Sequence, residues 1–160
     1  MIEFVKISKF PRKTLYNQLV DAYSIYDGSI QAWNDDWLKY DEYFYDNLDN
    51  IADKFGFITV LDDKPIGHIS WDPRNKDYAI IGYNCIVSEY KGNGYGKMQL
   101  VEALRRIKEY GFKKAIVTTN GLFLAAQKNY ESVGFKKVRE RVNNDTPFSL
   151  NYIDYEILIK

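Results

Sequence analysis

Three glycines, Gly92, Gly94 and Gly96, alternate within the stretch VSEYKGNGYGKMQLVEAL, between an apolar run and a helical one. Glycine lets a backbone adopt positive φ and approach a ligand closely, so successive N–H groups can turn inward as an anion-binding nest. A helix that starts directly after such a turn adds its own unpaired N–H groups and the positive end of its dipole. Lys91 and Lys97 flank the turn with full charges. A strand, a glycine turn and a helix in this order are suited to gripping phosphate, although the same glycines would also serve tight packing alone.

Spacing narrows the kind of phosphate. A P-loop needs four residues between its first glycine and the Gly-Lys pair, followed by Ser or Thr. Here only Asn93, Gly94 and Tyr95 separate Gly92 from Gly96, and Met98 follows Lys97, so no hydroxyl is placed to ligate Mg²⁺. The dinucleotide pattern Gly-x-Gly-x-x-Gly fails as well, because it would end on Lys97 or on Gln99.

What remains is Lys91-x-x-Gly94-x-Gly96 at a helix start. It resembles the pyrophosphate-binding signature of the GNAT acyltransferase superfamily, Arg/Gln-x-x-Gly-x-Gly/Ala. That resemblance implies acetyl-CoA as co-substrate, held by Lys91, Gly92, Asn93, Gly94, Tyr95, Gly96 and Lys97. Lys91 departs from the family's Arg or Gln, keeping the charge but losing the planar fork. Ser88 stands where a proline is common.

A second segment, AAQKNYESVGFKKV, is similar to the same family's later motif, Ala-x-x-x-Tyr-x-x-x-Gly-Phe, here Ala126, Tyr130, Gly134 and Phe135. With 14 tyrosines in the chain, a lone one would be read as core packing. Within the motif, the resemblance makes Tyr130 the proton donor to the departing thiolate of the cofactor. Phe123 occupies the place, three before Ala126, where many members have Asn.

By the same resemblance, the acyl-pantetheine arm would lie along Asn84 to Val87, with Ile86 and Val87 as backbone partners. An N–H near Val87 would polarise the thioester carbonyl as an oxyanion site. The acceptor amine would attack directly, so no covalent enzyme intermediate is needed. Asn84 is a candidate for positioning a water, Glu89 a weak base candidate, and His68 a candidate base whose alternative is simple packing. Cys85 reads as a small core residue rather than a nucleophile, since its side chain points opposite to those of Asn84 and Ile86 and no link to His68 is visible.

The acceptor's only signature is the segment from Asp27 to Asp53, where eight carboxylates face one lysine and interleave with Trp33, Trp37, Tyr40, Tyr43, Phe44 and Tyr45. Carboxylates and ring faces suit a cationic amine, small-molecule or peptide. A solvated helix face with buried aromatics would carry the same residues. The expected activity is acetyl transfer from acetyl-CoA to a primary amine of a small cationic molecule or peptide. Its rival is a non-catalytic CoA-binding or regulatory module of the same fold.

These residues need elements to hold them. IEFVKIS (2–8) alternates as a first strand, and helical spacing follows over 11–26 and, in the acidic segment, over about 30–53. The run 55–73 reads as a hairpin broken at Asp62 to Pro65, and 77–87 as the most apolar, central strand. Met98, Val101, Leu104 and Ile107 mark the helix after the glycines, ended by Gly111. A strand over 113–119 precedes a helix capped by Asn120 and stopped by Gly134, with Ala126, Tyr130 and Val133 on one face. FKKVRERV and SLNYIDYEILI close the chain as strands. The order predicts a single α/β domain with a mixed, mostly antiparallel sheet flanked by helices.

The bulk composition is compatible. At 160 residues the chain can bury a core, and Lys plus Arg equals Asp plus Glu at 22 each, which points to no nucleic-acid or membrane partner. FKKVRER alternates its charges between two strand faces, leaving no broad basic stripe. One cysteine and one histidine exclude an internal disulfide and argue against a Cys/His zinc site, so no metal is expected. MIEFVKISKF has no long apolar region and no run reaches a membrane span, so a cytoplasmic protein is expected. Family members often dimerise, which leaves a homodimer open.

Overall fold

The computed structural model describes residues 1–144 and 150–160. Among them, seven strands form one sheet in the order β1-β2-β3-β4-β5-β7-β6. The strands are β1 (Ile2–Val5), β2 (Gly56–Leu61), β3 (Lys64–Asp72), β4 (Ala79–Ile86), β5 (Lys114–Asn120), β6 (Lys136–Arg141) and β7 (Tyr152–Leu158). Every neighbouring pair is antiparallel except β4 and β5. That one parallel pairing is short, running only through Ala79↔Ala115 and Ile80↔Ile116. Beyond Ile80 the two strands part. The parallel contact needs a crossover, and the helix between the two strands supplies it.

Helices α1 (Thr14–Ala22) and α2 (Ser29–Asp46) cover one face, while α3 (Tyr95–Glu109) and α4 (Leu124–Ser132) cover the other. On the α3 side, Leu100, Ala103 and Ile107 bury against Phe57, Ile69, Trp71 and Ala115. On the α1 side, Leu19, Ala22 and Trp37 pack over Cys85, and Leu15 and Phe44 over Ile58 and Val60. The β2–β3 hairpin closes through Asp62 and Asp63, both at positive φ (47° and 69°), a two-residue turn whose twist suits the strands it joins.

Several elements depart from the sequence reading. The first strand ends at Val5, because residues Ile7–Lys9 form a 3₁₀ turn that drops Ile7 into the core. The acidic helix is two pieces, α2 and a π-helical turn over Leu48–Ala52. In α3 the buried face is Gln99, Leu100, Ala103 and Ile107, whereas Met98 and Val101 are 44% and 52% exposed. A strict three-residue period drifts around a helix of 3.6 residues per turn, so Met98 and Ile107 lie about 180° apart. Asn120 does not cap α4. It ends β5, with its Oδ1 accepting the Leu122 N–H (2.8 Å) and its Nδ2 donating to the Leu150 carbonyl (2.9 Å). The final strand begins at Tyr152; Ser149, which opened it in the sequence reading, lies outside the described residues.

The edge strand β6 carries a register shift between Lys137 and Arg139. Arg139 and Arg141 both donate to Asp154 of β7 at 2.8 Å, and with Thr118 they hold its carboxyl well below the usual range, Arg141 contributing most. Two of the basic groups of FKKVRER are thus spent inside the sheet. No described helix is long and apolar enough to cross a membrane.

Candidate active site

The gap left by the parting of β4 and β5 opens onto a cavity of about 310 Å³. Its floor is β4, where Asn84, Cys85 and Ile86 line it. Antiparallel pairing alternates which way main-chain groups face. Val87 donates its N–H to the Ile66 carbonyl at 2.8 Å, so Val87 turns toward β3. By alternation Ile86, paired with Gly67, turns its N–H and C=O the other way, toward the gap. The N–H named above near Val87 is therefore already engaged when it belongs to Val87 itself, and the outward one belongs to Ile86.

At the cavity's mouth, Gly92 and Gly94 take φ of 81° and 84°, a conformation that only glycine adopts without strain. Neither would meet another atom if it carried a Cβ, so the backbone angle and not crowding fixes these two positions. Gly96 differs: a Cβ there would sit 2.8 Å from Asn129 Nδ2, so its lack of a side chain leaves room for the Asn129 amide. No side chain caps α3, and its first intrahelical bond runs from Met98 N–H to the Gly94 carbonyl. The N–H groups of Tyr95, Gly96 and Lys97 consequently have no partner within the helix.

The flanking groups are arranged less simply than their spacing suggests. Lys91 lines the cavity but donates its ammonium to the Ala22 carbonyl at the end of α1, and partial burial lowers its pKa. Ser88 donates its N–H to Asp21 Oδ2 (2.7 Å) and its hydroxyl to the Asp21 carbonyl (2.9 Å). Together they pin the strand-to-helix connection onto α1. Asn93 bonds back to the Tyr90 and Lys91 carbonyls, at 3.2 Å each. Lys97 lies outside this cavity, on a neighbouring surface pocket of about 350 Å³ beside Phe4, Met98 and Val101. Lys128 and Asn129 of α4 line the main cavity and were not singled out from sequence; a surface-type residue on a helix carries no local signal of such a role.

Tyr130 is 4% exposed, and its hydroxyl lies 3.4 Å from Asn84 Nδ2. Burial raises its pKa above the ordinary value, partly offset by the Asn84 bond, so the phenol stays protonated at neutral pH. Asn84 Oδ1 in turn accepts from Gln99 Nε2 at 2.7 Å. Asn84 and Ile86 thus line the gap, with the glycine turn at its mouth, while Tyr130 is not itself part of the lining and meets it through Asn84.

Cys85 and His68 are cross-strand partners, and the sulfur lies 3.5 Å from His68 Nδ1, a link the sequence did not reveal. It is not a nucleophilic pair. Burial pushes the Cys85 thiol up to about 12 and the His68 imidazole down to about 3, so both are neutral. His68 is fully buried against Gln18, away from the cavity, which corrects the candidate-base reading. Glu89 is exposed and does not line the cavity either.

The acidic segment divides in the same way. Asp41 accepts the N–H groups of Lys13 and Tyr16, Asp53 that of Ser8, and Asp46 pairs with Arg12. None of its carboxylates lines the cavity among the described residues. None of its rings does either; the wall is Tyr23, Tyr26 and Phe123, with Phe123 5.3 Å and 4.8 Å from the two tyrosine rings. Trp33 and Trp37 back that wall behind Tyr23. Phe123, standing where the family often has Asn, is therefore a wall residue. No three His, Cys, Asp or Glu side chains gather to hold a metal among the described residues.

Comparison with known proteins agrees with this geometry. An E. coli ribosomal-protein-S18-alanine N-acetyltransferase superposes with a TM-score of 0.70 at 16% identity, over 100% of this chain and 94% of that one. An Elizabethkingia anophelis GNAT family acetyltransferase with acetyl-CoA bound gives 0.70 at 16%, over 99% and 97%. A provisionally assigned streptothricin acetyltransferase from Bacillus anthracis, in complex with acetyl coenzyme A, gives 0.60 at 23%. That match covers 66% of this chain and 62% of the other, less than two thirds of the relative's length. No curated protein matches the chain. The model of the acetyltransferase (GNAT) family matches residues 14–135, and over that span lie the glycine turn, the parted strands and Tyr130: the chain belongs to the GNAT acetyltransferase family.

Proposed function

We propose that this acetyltransferase takes acetyl-CoA as its donor and passes the acetyl group directly to a primary amine of a small cationic molecule or a peptide. The observation that carries the reading is the gap between β4 and β5, with an uncapped, glycine-preceded helix N-terminus at its mouth. Acetyl-CoA supplies an activated thioester carbonyl and a thiolate leaving group. The N–H groups of Tyr95, Gly96 and Lys97 hold the pyrophosphate, and Lys128 adds charge at the cavity. Ile86 offers its main chain to the acyl arm and its N–H to the carbonyl oxygen as negative charge develops there. Tyr130 gives its proton to the departing sulfur, a contribution of about 10²–10⁴-fold. The acceptor's cationic body meets the faces of Tyr23, Tyr26 and Phe123 in place of carboxylates.

Calorimetry with acetyl-CoA and ATP, on wild type and on Gly94→Glu, tests the cofactor assignment. Acetyl-CoA binding that disappears in a folded variant is expected, whereas equal binding by both would make the turn purely structural. Tyr130→Phe separates an enzyme from a binding module. About a hundredfold loss of kcat with acetyl-CoA affinity retained is expected; an unchanged rate would remove Tyr130 from the chemistry.

A further inference from the structure

Gln99 is a fully buried glutamine in the middle of an otherwise apolar helix face. Its amide reaches four partners. Nε2 lies 2.8 Å from the His68 carbonyl, 3.2 Å from the Cys85 carbonyl and 2.7 Å from Asn84 Oδ1, and Oε1 lies 2.7 Å from Thr59 Oγ1. Main-chain carbonyls only accept hydrogen bonds, so the end of Gln99 that faces two of them must be its NH₂. The Asn84 atom beside that NH₂ must then be the carbonyl oxygen. The other end of Asn84, 3.4 Å from the Tyr130 hydroxyl, must be its NH₂, and it donates. Tyr130 therefore accepts through its oxygen, and its own proton has no claim on Asn84. Two carbonyls on β3 and β4 thus rule out Asn84 as the acceptor of the phenolic proton.

We propose that Gln99 is a positioning residue for acetyl transfer, fixing Asn84 so that the Tyr130 proton points to the departing thiolate. The proposal rests on the acetyl-transfer reading above. With Gln99 absent, Asn84 is free to turn its oxygen toward Tyr130. The phenol would then donate to Asn84, and the leaving sulfur would lose its proton source. Gln99 touches neither substrate in this arrangement and acts through Asn84 alone.

The test compares Gln99→Met, which keeps chain length and burial, with Tyr130→Phe and the double variant. Free thiol released from acetyl-CoA is followed with spermidine, tyramine and a peptide bearing a free N-terminus. Gln99→Met is expected to lower kcat about 10- to 100-fold with KM for acetyl-CoA within about threefold, and the double variant to be no slower than Tyr130→Phe. Losses that multiply in the double variant, or an unchanged kcat in Gln99→Met, overturn the proposal. If Gln99→Met fails to fold, Asn84→Ala, at a less buried position, takes its place with the same expectations and the same refutations. A second readout needs no turnover: the Asn84 side-chain NH₂ protons should exchange slowly in wild type and quickly in Gln99→Met. Absence of thiol release from wild type with every amine would sink the acetyl-transfer reading, and the exchange of the Asn84 protons would still decide whether Gln99 orients it.

Discussion

Burial keeps the Tyr130 phenol protonated well past neutrality, and neither a carboxylate nor an imidazole lines the cavity among the described residues. The acceptor must therefore shed its ammonium proton to water before it attacks. Rate as a function of pH should rise along the titration of the acceptor amine and shift when that amine is exchanged for one of different pKa; a fixed inflection near pH 6–7 for every acceptor would reveal an enzymic base. His68 leaves its mark on stability instead. Its folded pKa of about 3 lies below the unfolded 6.5, so the unfolded chain binds the extra proton and stability falls as pH drops from about 6.5 toward 3. Between pH 7 and 5.5 the loss should be on the order of 1 kcal/mol. Urea midpoints at the two values measure it; His68→Gln should remove the difference, and a flat wild-type profile would mean the imidazole is protonated within the fold. Tyr130 and Asn84 were legible in sequence because one sits in a spaced motif and the other on the most apolar strand. Gln99 was not, since a polar residue on a helix reads as surface until tertiary packing buries it.

At the scale of elements, the β4–α3 connection and the α3–α4 contact carry the site. Two of its glycines make opposite demands on a methyl group. Gly94→Ala meets open space and bears only the cost of positive φ, about 1–2 kcal/mol of stability. Gly96→Ala puts a Cβ 2.8 Å from Asn129 Nδ2, so the Asn129 side chain, which lines the cavity, must turn aside. Its KM for acetyl-CoA should rise while thermal stability drops no more than in Gly94→Ala; a variant with wild-type kinetics would show that the Asn129 side chain has no part in binding. Element types and order followed from periodicity and glycine punctuation. The buried face of α3 did not, because its apolar residues outnumber what the core can take, and Met98 and Val101 are left outside. Lys91 was picked out as a cofactor contact, but its bond to Ala22 was not legible, for that partner is a carbonyl at the end of a distant helix.

As a whole molecule, the fold class and strand sequence were readable from the chain, whereas strand order was a matter of long-range pairing that no local pattern encodes. The acidic segment misled for a related reason: its carboxylates cap and brace α1, and its tryptophans only back the cleft wall behind Tyr23. The two-residue contact between β4 and β5 makes the sheet a pair of blades, β1 to β4 and β5-β7-β6, joined by a short seam. An acyl arm paired with Ile86 would lie in the open part of that seam as a third stitch. The blades of the free protein should then come apart by partial opening, with β5 and β7 amides exchanging hydrogen at lower free energy than those of β2 and β3. Saturating acetyl-CoA should bring the two sets level, and blades that already exchange alike without it would mean the helices alone hold the seam shut. Mechanically, the donor would be a fastener of the protein as much as its reagent.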